Sequence, residues 1–209
     1  MLDESFFNRD PQLVAQELLG KVIRKGLLSA RIIETEAYYL EDKASHASLG
    51  FTEKRKGLFM NPGTIYMYYA RGGDSLNVSC KGEGNAVLIK SACVLDNDPG
   101  IKVMQKNNPL GDKTRKVERL LSGQTLLCKS LGIKVKDWDQ NQFCPSFYIE
   151  DIGHPVKKIV SCKRLGIPEG RDEHLPYRFI DFEKAKHSTK NILTQRNVKE
   201  GVDYKIHER

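Results

Sequence analysis

The chain contains no apolar run that approaches the length of a membrane-spanning helix, so no helical anchor is expected within it. It also has no Cys-x-x-Cys pair. Cys80, Cys93, Cys128, Cys144 and Cys162 are odd in number and widely spread, which argues against a zinc ribbon or a dense disulfide framework and predicts reduced thiols in a cytosolic protein. No His, Glu or Cys cluster has metal-ligand spacing. Gly82-Glu83-Gly84 is too short for a phosphate loop and lacks the Lys-Ser/Thr of one, so it reads as a hairpin turn. No metal and no cofactor is expected. The first residues, Met1-Leu2-Asp3-Glu4-Ser5, lack a basic stretch followed by an apolar one, which predicts no export. Internal repeats, low-complexity tracts and interdomain linkers are missing too, so residues 1–209 are expected to form one domain with a polar tail over 181–209.

What the chain does carry is positive charge. Its 34 Lys and Arg against 27 Asp and Glu give a formal charge of +7, which favours a polyanionic partner. The basic residues gather at Lys54-Arg55-Lys56, between Lys102 and Lys116, and around Lys184, Lys186 and Lys190. Each run alone reads equally well as a solvated face.

Asp10-Pro11 is a helix-start pair, Leu13, Val14 and Leu18 give a helical stripe, and Gly20 is placed to end it. Strands are predicted from Lys21, over Ser29–Tyr39, Thr64–Ala70, Ser75–Cys80 and Ala86–Leu95, with a long polar loop from Leu40 to Asn61. Helical character covers Pro99–Leu131, with breaks near Pro109-Leu110-Gly111 and Ser122-Gly123 and a stop at Gly132. Strands return at Phe147–Ile152, Ile159–Arg164 and Tyr177–Ile180. Strands before and after a helical block, without β-α-β alternation, predict an α+β fold with a mostly antiparallel curved sheet and flanking helices. The tail after Asp181 reads equally as docked or disordered.

Chemistry concentrates in residues 31–79. In the strand Arg31-Ile32-Ile33-Glu34-Thr35-Glu36-Ala37-Tyr38-Tyr39, alternation puts Glu34, Glu36 and Tyr38 on one face. The hairpin strand Thr64-Ile65-Tyr66-Met67-Tyr68 does the same for Thr64, Tyr66 and Tyr68. Carboxylates beside flat rings, with His46 between the two segments, are the parts needed to stack an extruded nucleobase, read its edge and activate water at its sugar bond. Without further context Glu34 and Glu36 are an ordinary polar strand face and the tyrosines are packing. Neighbouring carboxylates on one strand do not make the opposed acid/base pair of a glycoside hydrolase.

The words E-T-E-A-Y at 34–38, His46, M-x-P-G-T-x-Y-x-Y at 60–68 and L-N-V-S at 76–79 occur in one order and spacing. With weaker agreement at Ala86–Lys90, Arg164-Leu165-Gly166 and Pro176–Phe179, the chain resembles the alkyladenine (3-methyladenine) DNA glycosylase family, the single-domain type without a helix-hairpin-helix. The resemblance spans most of the chain but not residues 181–209. It implies a monofunctional, base-excising hydrolase acting on alkylated or deaminated purines flipped from double-stranded DNA. Glu36 would be the general base. Tyr38, His46 and Tyr68 would stack on and touch the base, and Asn77 would crowd the amino group of normal guanine. The main-chain carbonyl of Leu165 would help hold the water.

Two positions depart from the family pattern. Lys90 stands where the family has a water-holding Arg, and a point charge lacks the planar fork. At the hairpin tip, where a Tyr commonly fills the gap left by the flipped base, this chain has Arg71 and Gly72-Gly73, with Tyr69 as the second candidate wedge. These departures leave two alternatives, a non-catalytic nucleic-acid-binding protein on the same fold and a bifunctional lyase using the Lys90 amine. A monomer is expected, cytoplasmic in the nucleoid if bacterial and nuclear if eukaryotic.

Overall fold

A computed structural model describes residues 1–70 and 72–209. Helix α1 (Glu4–Phe7) is a single turn capped by the Asp3 side chain. In α2 (Pro11–Leu18), Asp10 accepts hydrogen bonds from the N–H groups of Gln12 and Leu13, while Pro11 fills the first helical position, where its missing N–H costs nothing. The strands then follow as β1 (Val22–Lys25), β2 (Leu28–Tyr38), β3 (Ile65–Ala70), β4 (Gly73–Ser79) and β5 (Ala86–Cys93). The loop from Leu40 to Asn61 is less irregular than its polarity predicts, since it holds 3-10 turns at Ala47–Leu49 and Glu53–Phe59.

The central helical block resolves into α3 (Ile101–Asn107) and α4 (Gln124–Leu131). Between them lie irregular chain and a short 3-10 turn at Val117–Arg119. Gly132 ends α4 in the left-handed region at φ 64°, as its position predicts. A one-turn α5 (Val135–Trp138) and strands β6 (Phe147–Glu150), β7 (Lys158–Cys162) and β8 (Arg178–Asp181) follow. The tail docks. It carries 3-10 turns at Ala185–His187 and Ile192–Thr194, and ends in β9 (Tyr204–Glu208), an edge strand on β7.

Among the described residues one sheet runs β3-β4-β5-β2-β8-β7-β9, with β1 and β6 branching from the first half of β2. All strand pairs in it are antiparallel. The α+β reading therefore holds. The eleven-residue β2 is its axis, and its ladder with β5 shifts register around Glu34. Before the shift Ala30 and Ile32 join the main core; after it Ala37 does so, and the Thr35 hydroxyl bonds the Ala15 carbonyl of α2. A bulge thus hands the opposite face to Glu34, Glu36 and Tyr38.

Candidate active site

That face of β2, with β3, β4 and β5, walls a cavity of about 390 Å³. Tyr38, Tyr66, Tyr68, Asn77, Leu88 and Lys90 line it from the strands. His46 and Leu49 come from the 40–61 loop, Gln124 from the start of α4, and Leu165 and Arg171 from the segment between β7 and β8. The volume is in the range of small-ligand pockets, about 300–1,000 Å³. Beneath it, Ala47, Leu58, Tyr66 and Ala86 form a separate buried cluster. The turn between β4 and β5 passes close to the loop, and at Gly84 (φ +75°) a Cβ would fall 2.8 Å from the side chains of Ala47 and Leu40. Glycine is therefore required there on both steric and conformational grounds.

Glu36 is completely buried and does not itself line the cavity. It meets two residues that do. Its Oε2 accepts a 2.7 Å hydrogen bond from the Tyr38 hydroxyl, and Lys90 Nζ lies 3.3 Å from Oε1, off the geometry of a hydrogen bond. Burial, followed by the Glu36 charge, drives the Tyr38 hydroxyl well above its ordinary pKa, so the phenol stays a donor.

Glu34 has a different setting. It too is completely buried, with Arg178 Nε at 2.7 Å and the Thr189 N–H and hydroxyl at 2.9 and 2.7 Å, and Ser91 also donates to it. Burial pushes this carboxyl up, but Arg178 and the hydrogen bonds more than reverse that and leave it below its ordinary value. The polar strand face expected for both carboxylates is thus an interior one.

His46 presents its ring at the cavity mouth, tilted on Tyr68 with ring centroids 4.4 Å apart, and its Nδ1 is 2.9 Å from the Tyr66 hydroxyl. Partial desolvation and then the charges of Arg55 and Arg171 push it below 6.5, so it is neutral at neutral pH. Asn77 is buried in the wall, and its Nδ2 donates to the Tyr66 carbonyl at 3.1 Å, so it both lines the cavity and ties the hairpin.

Tyr38, His46, Tyr68, Asn77, Lys90 and Leu165 are therefore brought together, with Glu36 directly behind them. Tyr69 is not among them. It follows Met67 on the other face of β3, is 68% exposed, and sits in a separate open depression with Gly72, Asp74, Thr125 and Lys134. Arg71 lies outside the described residues. Gln124 and Arg171 escaped the sequence reading, because a helix start and an irregular loop show no period to read, while Arg164, read only as part of a matching word, is buried beneath Tyr38. Among the described residues no group of three His, Cys, Asp or Glu side chains is placed to hold a metal ion, and no helix is long and apolar enough to cross a membrane.

A family model described as methylpurine-DNA glycosylase matches residues 5–186. The chain is 55% identical to a protein of Pseudomonas savastanoi pv. phaseolicola over 97% of this chain and 95% of that one. It is 53% identical to a protein of Pseudomonas aeruginosa over 98% of this chain and 90% of that one. A more distant relative from Methanocella arvoryzae is 36% identical over 87% of this chain and 92% of its own. All three carry the name "Putative 3-methyladenine DNA glycosylase". The matched stretch includes every strand and loop that walls the cavity, and the chain belongs to the methylpurine-DNA glycosylase family.

Proposed function

We propose that the protein is a monofunctional DNA glycosylase that hydrolyses the N-glycosidic bond of alkylated or deaminated purines, 3-methyladenine among them, flipped from double-stranded DNA. The observation that carries this reading is the buried Glu36 carboxylate, bonded to one wall ring of an aromatic cavity and flanked by the Lys90 cation. Stacking on Tyr38, Tyr68 and His46 holds the base without demanding one sequence, and Asn77 with neutral His46 reads its edge. Breaking the bond puts positive charge on the sugar. Glu36 stabilises that charge and takes a proton from water at Oε1, the oxygen that no hydrogen bond reaches among the described residues. Lys90 and the Leu165 carbonyl hold the water. Lys90 beside Glu36 is read as a partner of the carboxylate and not as the nucleophile of a lyase route, a distinction that adduct trapping tests.

The test is a panel of duplexes with single 3-methyladenine, 7-methylguanine, hypoxanthine or ethenoadenine residues, assayed for strand cleavage after alkali. Parent protein is expected to release at least one base, with no adduct trapped by borohydride. Glu36→Gln is expected to slow single-turnover excision on the order of 100-fold or more while still binding lesion DNA. Near-parental excision by this variant would sink the mechanism.

A further inference from the structure

Tyr38 has a second neighbour that the reaction does not call upon. The Arg164 guanidinium lies over its ring, 4.6 Å from the centroid, and 5.5 Å from that of Tyr177. Arg164 does not line the cavity. Its side chain is fully buried and forks onto buried Asp42, with Nη2 3.0 Å from Oδ1 and Nη1 on Oδ2. Nη1 also donates to the Ala37 carbonyl at 3.2 Å. Asp42 Oδ1 in turn accepts the N–H of Ala44, two residues before His46, while Arg164 directly precedes Leu165. One buried ion pair therefore joins the two loops that frame the cavity to the ring between them.

Desolvating an ion pair is expensive, and apolar residues of the same volume commonly stabilise a fold as well or better. What an apolar pair cannot do is fork a carboxylate and set a cation over a ring at once. Lysine cannot do it either. We propose that Arg164, held by Asp42, is a positioning residue for the reaction: it backs the Tyr38 ring so that one face is kept for the purine and the hydroxyl is kept on Glu36. This rests on the reading of Tyr38 and Glu36 given above.

The experiment is a double-mutant cycle on single-turnover excision of the best duplex from the panel, with Arg164→Lys, Tyr38→Leu and the combination. If Arg164 acts through Tyr38, Arg164→Lys slows the parent about 10-fold and changes the Tyr38→Leu background less than about 2-fold. Effects that multiply in full, or a parental rate for Arg164→Lys, overturn the proposal. Asp42→Asn runs the same cycle should Arg164→Lys fail to fold. Fluorotyrosine ¹⁹F spectra, with the Tyr38 line assigned by Tyr38→Phe, read the ring without any chemistry. The line is expected to shift and narrow in Asp42→Asn, and an unchanged line overturns the clamp. A parent that excises nothing from the panel refutes the functional reading instead, and the ¹⁹F line still judges the clamp.

Discussion

Glu34 precedes Glu36 by two residues on one face of β2, and their partners give the two carboxylates different work. Among the described residues Glu36 has a phenol, a cation and one oxygen with no hydrogen bond, whereas Glu34 is saturated by Arg178, Ser91 and Thr189. Glu34→Gln is therefore not the mild change that a surface strand would allow. It strands the Arg178 charge and is expected to cost about 3 kcal/mol of stability, read from urea midpoints, since breaking one side of a buried pair is among the costlier substitutions. The pH dependence follows from the sign of the shift. The folded pKa of Glu34 lies below the ordinary 4.5, so its contribution is complete above that value and is lost as pH falls through the folded value. Parent protein should lose stability from about pH 5 downward, and Glu34→Gln should lack that part of the acid limb. At this scale the motif E-T-E-A-Y pointed to the face of β2 that backs the cavity, but alternation alone could not distinguish a solvated carboxylate from a sealed one. The distinction is made by Ser91, Arg178 and Thr189, the last two more than 140 residues away along the chain.

Among the elements, those with end signals were legible and those held by distant partners were not. Asp10-Pro11 and Gly132 bounded their helices, and the turn at Gly82–Gly84 separated β4 from β5. One-turn α1 and α5 are too short to show a period, and the bulge in β2 lies inside a stretch that reads as one unbroken strand. The tail was ambiguous because little of it is apolar. Ile192, Leu193 and Tyr204 pack on Val160, Cys162 and Ile180, while the Lys190 carbonyl and the Thr189 hydroxyl take Arg178 Nη2. Truncation after His187 removes all of these and uncovers the Glu34–Arg178 pair, so it should lower the urea midpoint sharply. Truncation after Asn197 removes β9 alone and should leave the pair in place. Its consequence is a bare β7 edge, expected to show as self-association by light scattering.

Across the whole molecule the lysines of the three basic runs lie at the surface. Lys54, Lys56, Lys102, Lys106, Lys113, Lys116, Lys184, Lys186 and Lys190 are all exposed, while Arg55 is withheld to bond the Leu49 and Gly50 carbonyls beside the cavity mouth. Affinity for duplex DNA should fall with salt by roughly 0.9 in log K per neutralised phosphate on a log scale. A flat response in a fluorescence titration would mean these lysines are only solvated. The position of β2 in the sheet sets how the molecule fails. Glu34, Thr35 and Glu36 are laddered to β5 on one side and β8 on the other. No local opening frees those peptides without tearing the sheet at its middle, so their amide protons should exchange with deuterium only by complete unfolding. Heated gradually, the molecule is expected to keep Glu36 seated until the sheet itself parts, so the general base and the fold are lost in one transition.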